Sequence, residues 1–306
     1  MGGQGRNRGC RRRRLSSGRE CNMTEKLSTT FDEVADLYDA ARPAYPTGLV
    51  EAIRSVLQGT QERILEIGCG TGQATKPFAR QGCRVTALEP GQRLAALAAK
   101  NLAAFPQVDI QTTTFEDWPV ALGQYDLVMS ATAFHWVSPE VRYTKSAQAL
   151  AAGGWLALFW NIEGNDESGV GVQIQAAYDK HIPPSQAHPY ATHHPGSHSK
   201  QQDARISRWQ EEINGSHLFG DVRVTQFLWK EWYTTEQYLR LLETYSDHRT
   251  LSAGDKRGLF EGVAEVLAQQ GGGRSKPYVT ILYLAQVRRL PENHQGFTQA
   301  GSAAGF

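Results

Sequence analysis

Four cysteines in 306 residues, none in a CxxC pair, leave no framework for a zinc site or a disulfide-stapled fold. Cys10, Cys21, Cys69 and Cys83 fit a reducing compartment, and the expected location is cytoplasmic. No apolar run approaches the ~18–20 residues that a membrane span needs, so none is expected. The opening residues hold no apolar stretch of the secretory kind. No internal repeat is visible. Basic charge is scarce outside residues 1–22, where seven arginines stand against Glu20. That segment is net +6 while the whole chain is +1, so the remainder is −5. An acidic body opposes attraction to phosphate backbones, and no nucleic-acid partner is expected. Residues 1–22 read as a disordered basic leader, with Met23 a candidate start, rather than as a functional arm. Residues 291–306 read as a disordered tail, which leaves one domain over 23–290.

Residues 31–58 carry apolar side chains at helical spacing, interrupted by Pro43 and Pro46. Strands and helices then alternate. Strands are expected at 63–67, 84–88, 108–114, 125–129 and 155–160. Helices are expected at 73–80, 92–105 and 138–150, the last with Ser138 as N-cap and Pro139 at the first helical position. Gly153-Gly154 reads as its stop. Such alternation argues for an α/β fold, a mostly parallel sheet with helices on both faces. Residues 164–171 are Gly-rich and 181–202 Pro/His-rich, which reads as a long loop. A strand at 222–232, helices at 234–245 and 254–270, and a strand at 278–287 follow. Thr234 and Gln237 stand at capping-box positions. The two late strands predict a partly antiparallel edge.

The stretch ILEIGCGTGQ, 64–73, joins an apolar strand to a glycine-rich turn. It lacks the G-x-x-x-x-G-K-[ST] of a phosphate loop. It also misses the dinucleotide spacing G-x-G-x-x-G, because the third glycine comes one residue early and Gln73 stands in its place. Glu66 through Gly72 instead read E-x-G-x-G-x-G. A carboxylate at the strand end opposes a pyrophosphate and suits an ammonium or sulfonium. Glu89 ends the next strand about 20 residues on, where an acid accepts hydrogen bonds from a ribose diol. Glu116 or Asp117, with Trp118 beside them, follows the third strand and could meet an adenine. An amino-acid end, a ribose and an adenine together describe S-adenosylmethionine.

LEIGCGTGQATKPFA, VTALEP and YDLVMSATAFHWV resemble the class I S-adenosylmethionine-dependent methyltransferases. FDEVADLYDAARPAYP, TYSDH and KPYVTILYLAQ resemble a small-molecule subgroup that includes trans-aconitate methyltransferase. The resemblance covers roughly 31–288. It implies a Rossmann-like, seven-stranded sheet with a reversed last strand, plus a helical and loop cap over the substrate at 164–218. It also implies that Glu66, Gly68, Gly70 and Gly72 cradle the methionine part, and that Glu89 takes the ribose. Glu116, Asp117 and Trp118 would flank the adenine, and Ala131 and His135 would lie near the sulfonium. Tyr38 and Arg42 would cover the cofactor, with Arg42 toward its carboxylate. Gly91-Gln92 departs from the small hydroxyl residue that many relatives carry after the ribose acid.

Methyl transfer needs a base only when the acceptor must lose a proton. His135 is the candidate base; an ordering role is its alternative. Trp136, Trp160 and Asn161 sit at or after strand ends, where open α/β sheets bind ligands. Tyr245, His248 and Arg249 could contact an acidic substrate. The expected partner is a small-molecule methyl acceptor, with small carboxylic acids the first class to try. The competing function is a catalytically silent cofactor-binding or partner-binding protein. No metal is expected: His188, His193, His194 and His198 lie among prolines without an acid or thiol ligand nearby.

Overall fold

The computed structural model describes residues 41–57, 59, 61–182, 198–245, 248 and 250–288, with backbone alone for 198–205. The expectations for residues 1–22 and 291–306, and for Tyr38, His188, His193, His194 and Arg249, fall outside these residues.

The chain runs α1 (Thr47–Arg54), β1 (Arg63–Ile67), α2 (Thr75–Arg80), β2 (Arg84–Leu88), α3 (Gln92–Asn101), β3 (Val108–Gln111) and β4 (Tyr125–Ala131). A 3-10 turn at Phe134–Trp136 leads to α4 (Arg142–Ala149), β5 (Leu150–Glu163), α5 (Gly169–His181) and α6 (His198–Gly215). Then come β6 (Arg223–Thr234), α7 (Thr235–Glu243), α8 (Ala253–Gln269) and β7 (Gly273–Gln286). The strands form one seven-stranded sheet in the order β3-β2-β1-β4-β5-β7-β6. β7 is antiparallel to both β5 and β6, and the other pairs are parallel. Among the described residues no helix is long and apolar enough to cross a membrane.

The strand period of two sorts side chains between the faces. Leu65, Ile67, Val128, Leu156 and Leu158 pack with Phe134 and Tyr143 on one face. Ile64, Leu127, Met129, Ala157 and Phe159 pack on the other with Leu49, Val50 and Ile53 of α1 and Phe78 of α2. A third apolar cluster joins α5, α7 and α8 over β6 and β7, through Ile174, Tyr178, Tyr238, Leu241, Leu259 and Val263. α5 and α8 approach closely at Gly258, where a Cβ would lie 2.4 Å from His181 Nδ1. The capping box at Thr234 forms in both directions, the Thr234 side chain accepting from the Gln237 amide.

Several expectations change. The helix expected at 138–150 starts at Arg142: Ser138 ends in a turn whose carbonyl accepts from the Val141 and Arg142 amides, so its side chain caps nothing. Gly153-Gly154 does not stop that helix. Both lie inside β5, at an irregularity where the register with β4 shifts between Tyr125 and Leu127. The Gly-rich 164–171 contributes the start of α5, because Ser168 caps it, its Oγ accepting from the Gly171 amide. Residues 198–202, expected in a long loop, belong to α6.

Candidate active site

β1 delivers the glycine turn to the edge of the sheet where parallel strands end. Gly68, Gly70 and Gly72 have φ of 70°, 57° and 86°, the left-handed region that disfavours any side chain. Their surroundings differ. A Cβ on Gly68 would lie 2.5 Å from Ala133 Cβ, and one on Gly72 2.6 Å from Leu102 Cδ1. A Cβ on Gly70 would meet nothing within 4 Å. The outer glycines are packed into the protein, and the middle one faces open space.

Two acids frame this turn. Glu89 is buried and grips it: Oε2 accepts from the Gly70 amide at 2.9 Å and Oε1 from the Gly91 amide at 2.9 Å. The Gly68 and Cys69 amides both donate to the Leu88 carbonyl, at 2.9 and 3.0 Å. Glu66 is fully buried; its Oε2 accepts from the Thr75 hydroxyl at 2.6 Å, and its Oε1 has no hydrogen-bond partner. Burial pushes the Glu66 carboxyl up to about 7; the Thr75 hydrogen bond opposes the shift and the Glu89 charge adds to it. The Thr71 hydroxyl is likewise buried without a partner. A fully buried, unpartnered carboxylate oxygen in the strand that leads into the turn fits an ammonium-bearing ligand, since an unmet buried acceptor is costly. The donor set therefore fits the methionine end of S-adenosylmethionine.

At the tip of β4, Ala131 pairs with Phe159 in the sheet register. Thr132 follows with φ of 57°, an outlier for a β-branched residue. Its amide donates to the Phe159 carbonyl at 2.8 Å, and its hydroxyl bonds Tyr45 Oη at 3.1 Å. Tyr45 meets the Phe159 ring edge-on, centroids 4.9 Å apart. His135 is exposed, with Trp136 against it at 4.6 Å between centroids. The Trp160 indole donates to His135 Nδ1 at 3.4 Å, and Trp160 stacks on Trp209 of α6 at 4.7 Å.

On the third side Glu116 and Asp117 are exposed and Trp118 is not. Glu116 accepts from the Ser138 amide at 2.7 Å, and Asp117 accepts from the Thr114 hydroxyl at 2.8 Å. Trp118 is buried in the core beside Phe115 and Tyr125, its indole donating to Gln111 Oε1 at 3.1 Å.

Toward β7, Asn161 donates to the Ala44 carbonyl at 3.1 Å and accepts from Thr280 Oγ1 at 2.6 Å. The Arg42 guanidinium donates to the Thr244 carbonyl at 3.2 Å and lies over the Tyr245 ring, 4.8 Å from its centroid. Burial, then the Glu163 carboxylate, holds the Tyr245 phenol well above its ordinary range. Lys276 is buried, donates to Glu163 at 2.6 Å and lies within 6 Å of the Tyr238, Tyr245 and Tyr278 ring centroids. His248 is buried too, with Nε2 2.8 Å from Tyr178 Oη.

The structure thus gathers Glu66, the three glycines, Glu89 and Ala131 along one edge and sets Trp118 back into the core. Sequence reasoning missed Tyr45, Thr71, Thr75, Thr132, Trp209 and Lys276. Thr75, a hydroxyl near the start of the helix after the glycines, carried a usable signal; Thr132 and Lys276 carried none.

Residues 64–154 match the family described as a methyltransferase domain. The chain is 33% identical over 135 residues to an uncharacterized methyltransferase of Mycobacterium bovis, a match covering 44% of this chain. It covers 53% of that relative, so the chain spans about half the length of the curated relatives it matches at this identity. It is 23% identical over 249 residues to "Probable S-adenosylmethionine-dependent methyltransferase" of Saccharomyces cerevisiae, covering 73% of this chain and 81% of that one. A solved protein of Anaeromyxobacter dehalogenans assigned as a type II methyltransferase shares the fold, with a TM-score of 0.57 and 19% identity over 82% of this chain and 99% of that one. Over residues 64–154 the chain is thus similar to methyltransferase domains, and its fold is shared with a solved methyltransferase.

Proposed function

We propose that the protein transfers a methyl group from S-adenosylmethionine to a small-molecule acceptor. The observation that carries this reading is the unpartnered, fully buried Glu66 Oε1 in the strand that leads into the glycine turn. Glu66 and the Gly68–Gly72 turn would hold the methionine part, and Glu89, besides fixing the turn, the ribose hydroxyls. Glu116 and Asp117 would border the adenine, with Trp118 bracing that wall from the core. Tyr38 and Arg42 would close the cleft, and Ala131 would face the sulfonium. Bound there, the cofactor supplies a methyl carbon already activated for in-line displacement.

The chain then has to align the acceptor and exclude water. His135 Nδ1 accepts from Trp160, which leaves the proton of the neutral ring on Nε2. His135 would then orient an acceptor oxygen through Nε2, the alternative to serving as the base for an acceptor that must lose a proton. Trp136, Trp160, Asn161, Tyr245 and Arg249 would form the acceptor side, with 164–218 as the cap over it. Arg42 and Lys276 among tyrosine rings favour an acceptor with a carboxylate, which needs no base. The resemblance of FDEVADLYDAARPAYP, TYSDH and KPYVTILYLAQ to the subgroup that includes trans-aconitate methyltransferase supports the same reading.

Isothermal titration with S-adenosylmethionine, S-adenosylhomocysteine and NAD tests the cofactor. Binding of the first two without NAD is expected; silence from folded protein sinks the reading. Product formation across a panel of small carboxylic acids then separates an enzyme from a silent binder.

A further inference from the structure

The strained Thr132 asks for an explanation that the cofactor contacts do not supply. Residues held in sparsely populated backbone regions persist only where their surroundings enforce them, and they gather at functional sites. Here the enforcing contacts are specific. The amide is tied to Phe159 of β5 at 2.8 Å, and the hydroxyl to Tyr45 at 3.1 Å. Tyr45 belongs to the stretch before α1, which also crosses the edge through the Asn161 bond to Ala44 and the Gln73 bond to the Arg42 carbonyl at 3.3 Å. The turn at Thr132 sets the next residue, Ala133, against Gly68, where a Cβ would come within 2.5 Å of the methyl. A chain of contacts therefore runs from Tyr45 through Thr132 and Ala133 to the first glycine of the turn.

We propose that Tyr45 is a positioning residue for methyl transfer: its hydroxyl holds Thr132 in the left-handed conformation that presses the tip of β4 onto the glycine turn. This rests on the methyltransferase reading, because the tip of β4 matters to chemistry only if the sulfonium lies against it. The Tyr45 hydroxyl acts on the tip of β4 through Thr132, so its loss acts on where the methyl lies more than on whether the cofactor binds.

The test compares the affinity ratio for S-adenosylmethionine over S-adenosylhomocysteine in the full chain and in Tyr45→Phe, Thr132→Val and Thr132→Ser. Tyr45→Phe and Thr132→Val each remove the hydroxyl bond at nearly constant shape, and each is expected to shift the ratio about fivefold. The double variant is expected to do no more than either single one, because both break the same link. Thr132→Ser keeps the hydroxyl and is expected to restore the ratio, an outcome that a purely structural role of Thr132 would not give. An unchanged ratio in a folded Tyr45→Phe protein overturns the positioning role while leaving the cofactor reading intact. Failure of the unmodified protein to bind either compound overturns both.

Discussion

The two halves of the sheet build their sites differently. Along β1, β2 and β4 the candidate cofactor site is made of backbone: left-handed glycines, amides gripped by Glu89, strand ends in register. Along β5 and β7 the candidate acceptor side is made of long side chains, namely Trp160, Asn161, Tyr245 and the buried Lys276. A backbone site tolerates few sequences, because geometry excludes nearly every residue but glycine. A side-chain site can be rebuilt by many. The family match, confined to 64–154, follows the same division.

The comparison breaks most severely at the glycines. Gly68→Ala should cost about 3 kcal/mol of stability, from left-handed strain and from overlap with Ala133, measured by denaturant unfolding. Gly70→Ala should cost only about 1 kcal/mol, since its Cβ meets nothing, yet lose most S-adenosylmethionine binding. Equal stability losses in the two variants would mean that the turn is uniformly packed.

A smaller effect sharpens the electrostatic side. The Glu66 carboxyl lies at about 7 in the folded chain against an ordinary 4.5, so the folded state holds a proton that the unfolded state has released between those values. Its contribution to stability is full below pH 4.5 and falls as pH rises toward 7. A cationic ligand favours the ionised form, so cofactor affinity should weaken up to about tenfold per unit as pH drops below 7. Titration calorimetry on Glu66→Gln should show a weaker affinity that no longer varies over that range. The smallest effect lies in the other half: Thr234→Ala should cost about 1 kcal/mol through the lost cap and leave cofactor affinity unchanged.

Much of the first half was legible because its rules are local. β1 and β2 lie where alternation and turn chemistry put them, and E-x-G-x-G-x-G marks the site without tertiary knowledge. The errors are long-range in origin. Gly153-Gly154 looks like a helix stop, but pairing with β4 across a register shift carries the strand through it. The Gly-rich GVGV carries no helix expectation, and it opens α5 because Ile174 and Tyr178 find α8 to pack on. TYSDH offers polar side chains for an acidic substrate, yet His248 is buried against Tyr178. Thr132 and Lys276 were invisible, since strain and burial of a charge exist only once the partners are assembled.

The place of β7 between β5 and β6 has a consequence for how the molecule is made. Residues 273–286 supply the only neighbour, among the described strands, on the β7 side of β5 and on either side of β6. During synthesis the apolar edge of β5 must wait through more than a hundred residues of chain before its partner emerges. A ribosome that stalls in that interval leaves an open strand edge rather than a smaller domain, a ready template for pairing with another chain.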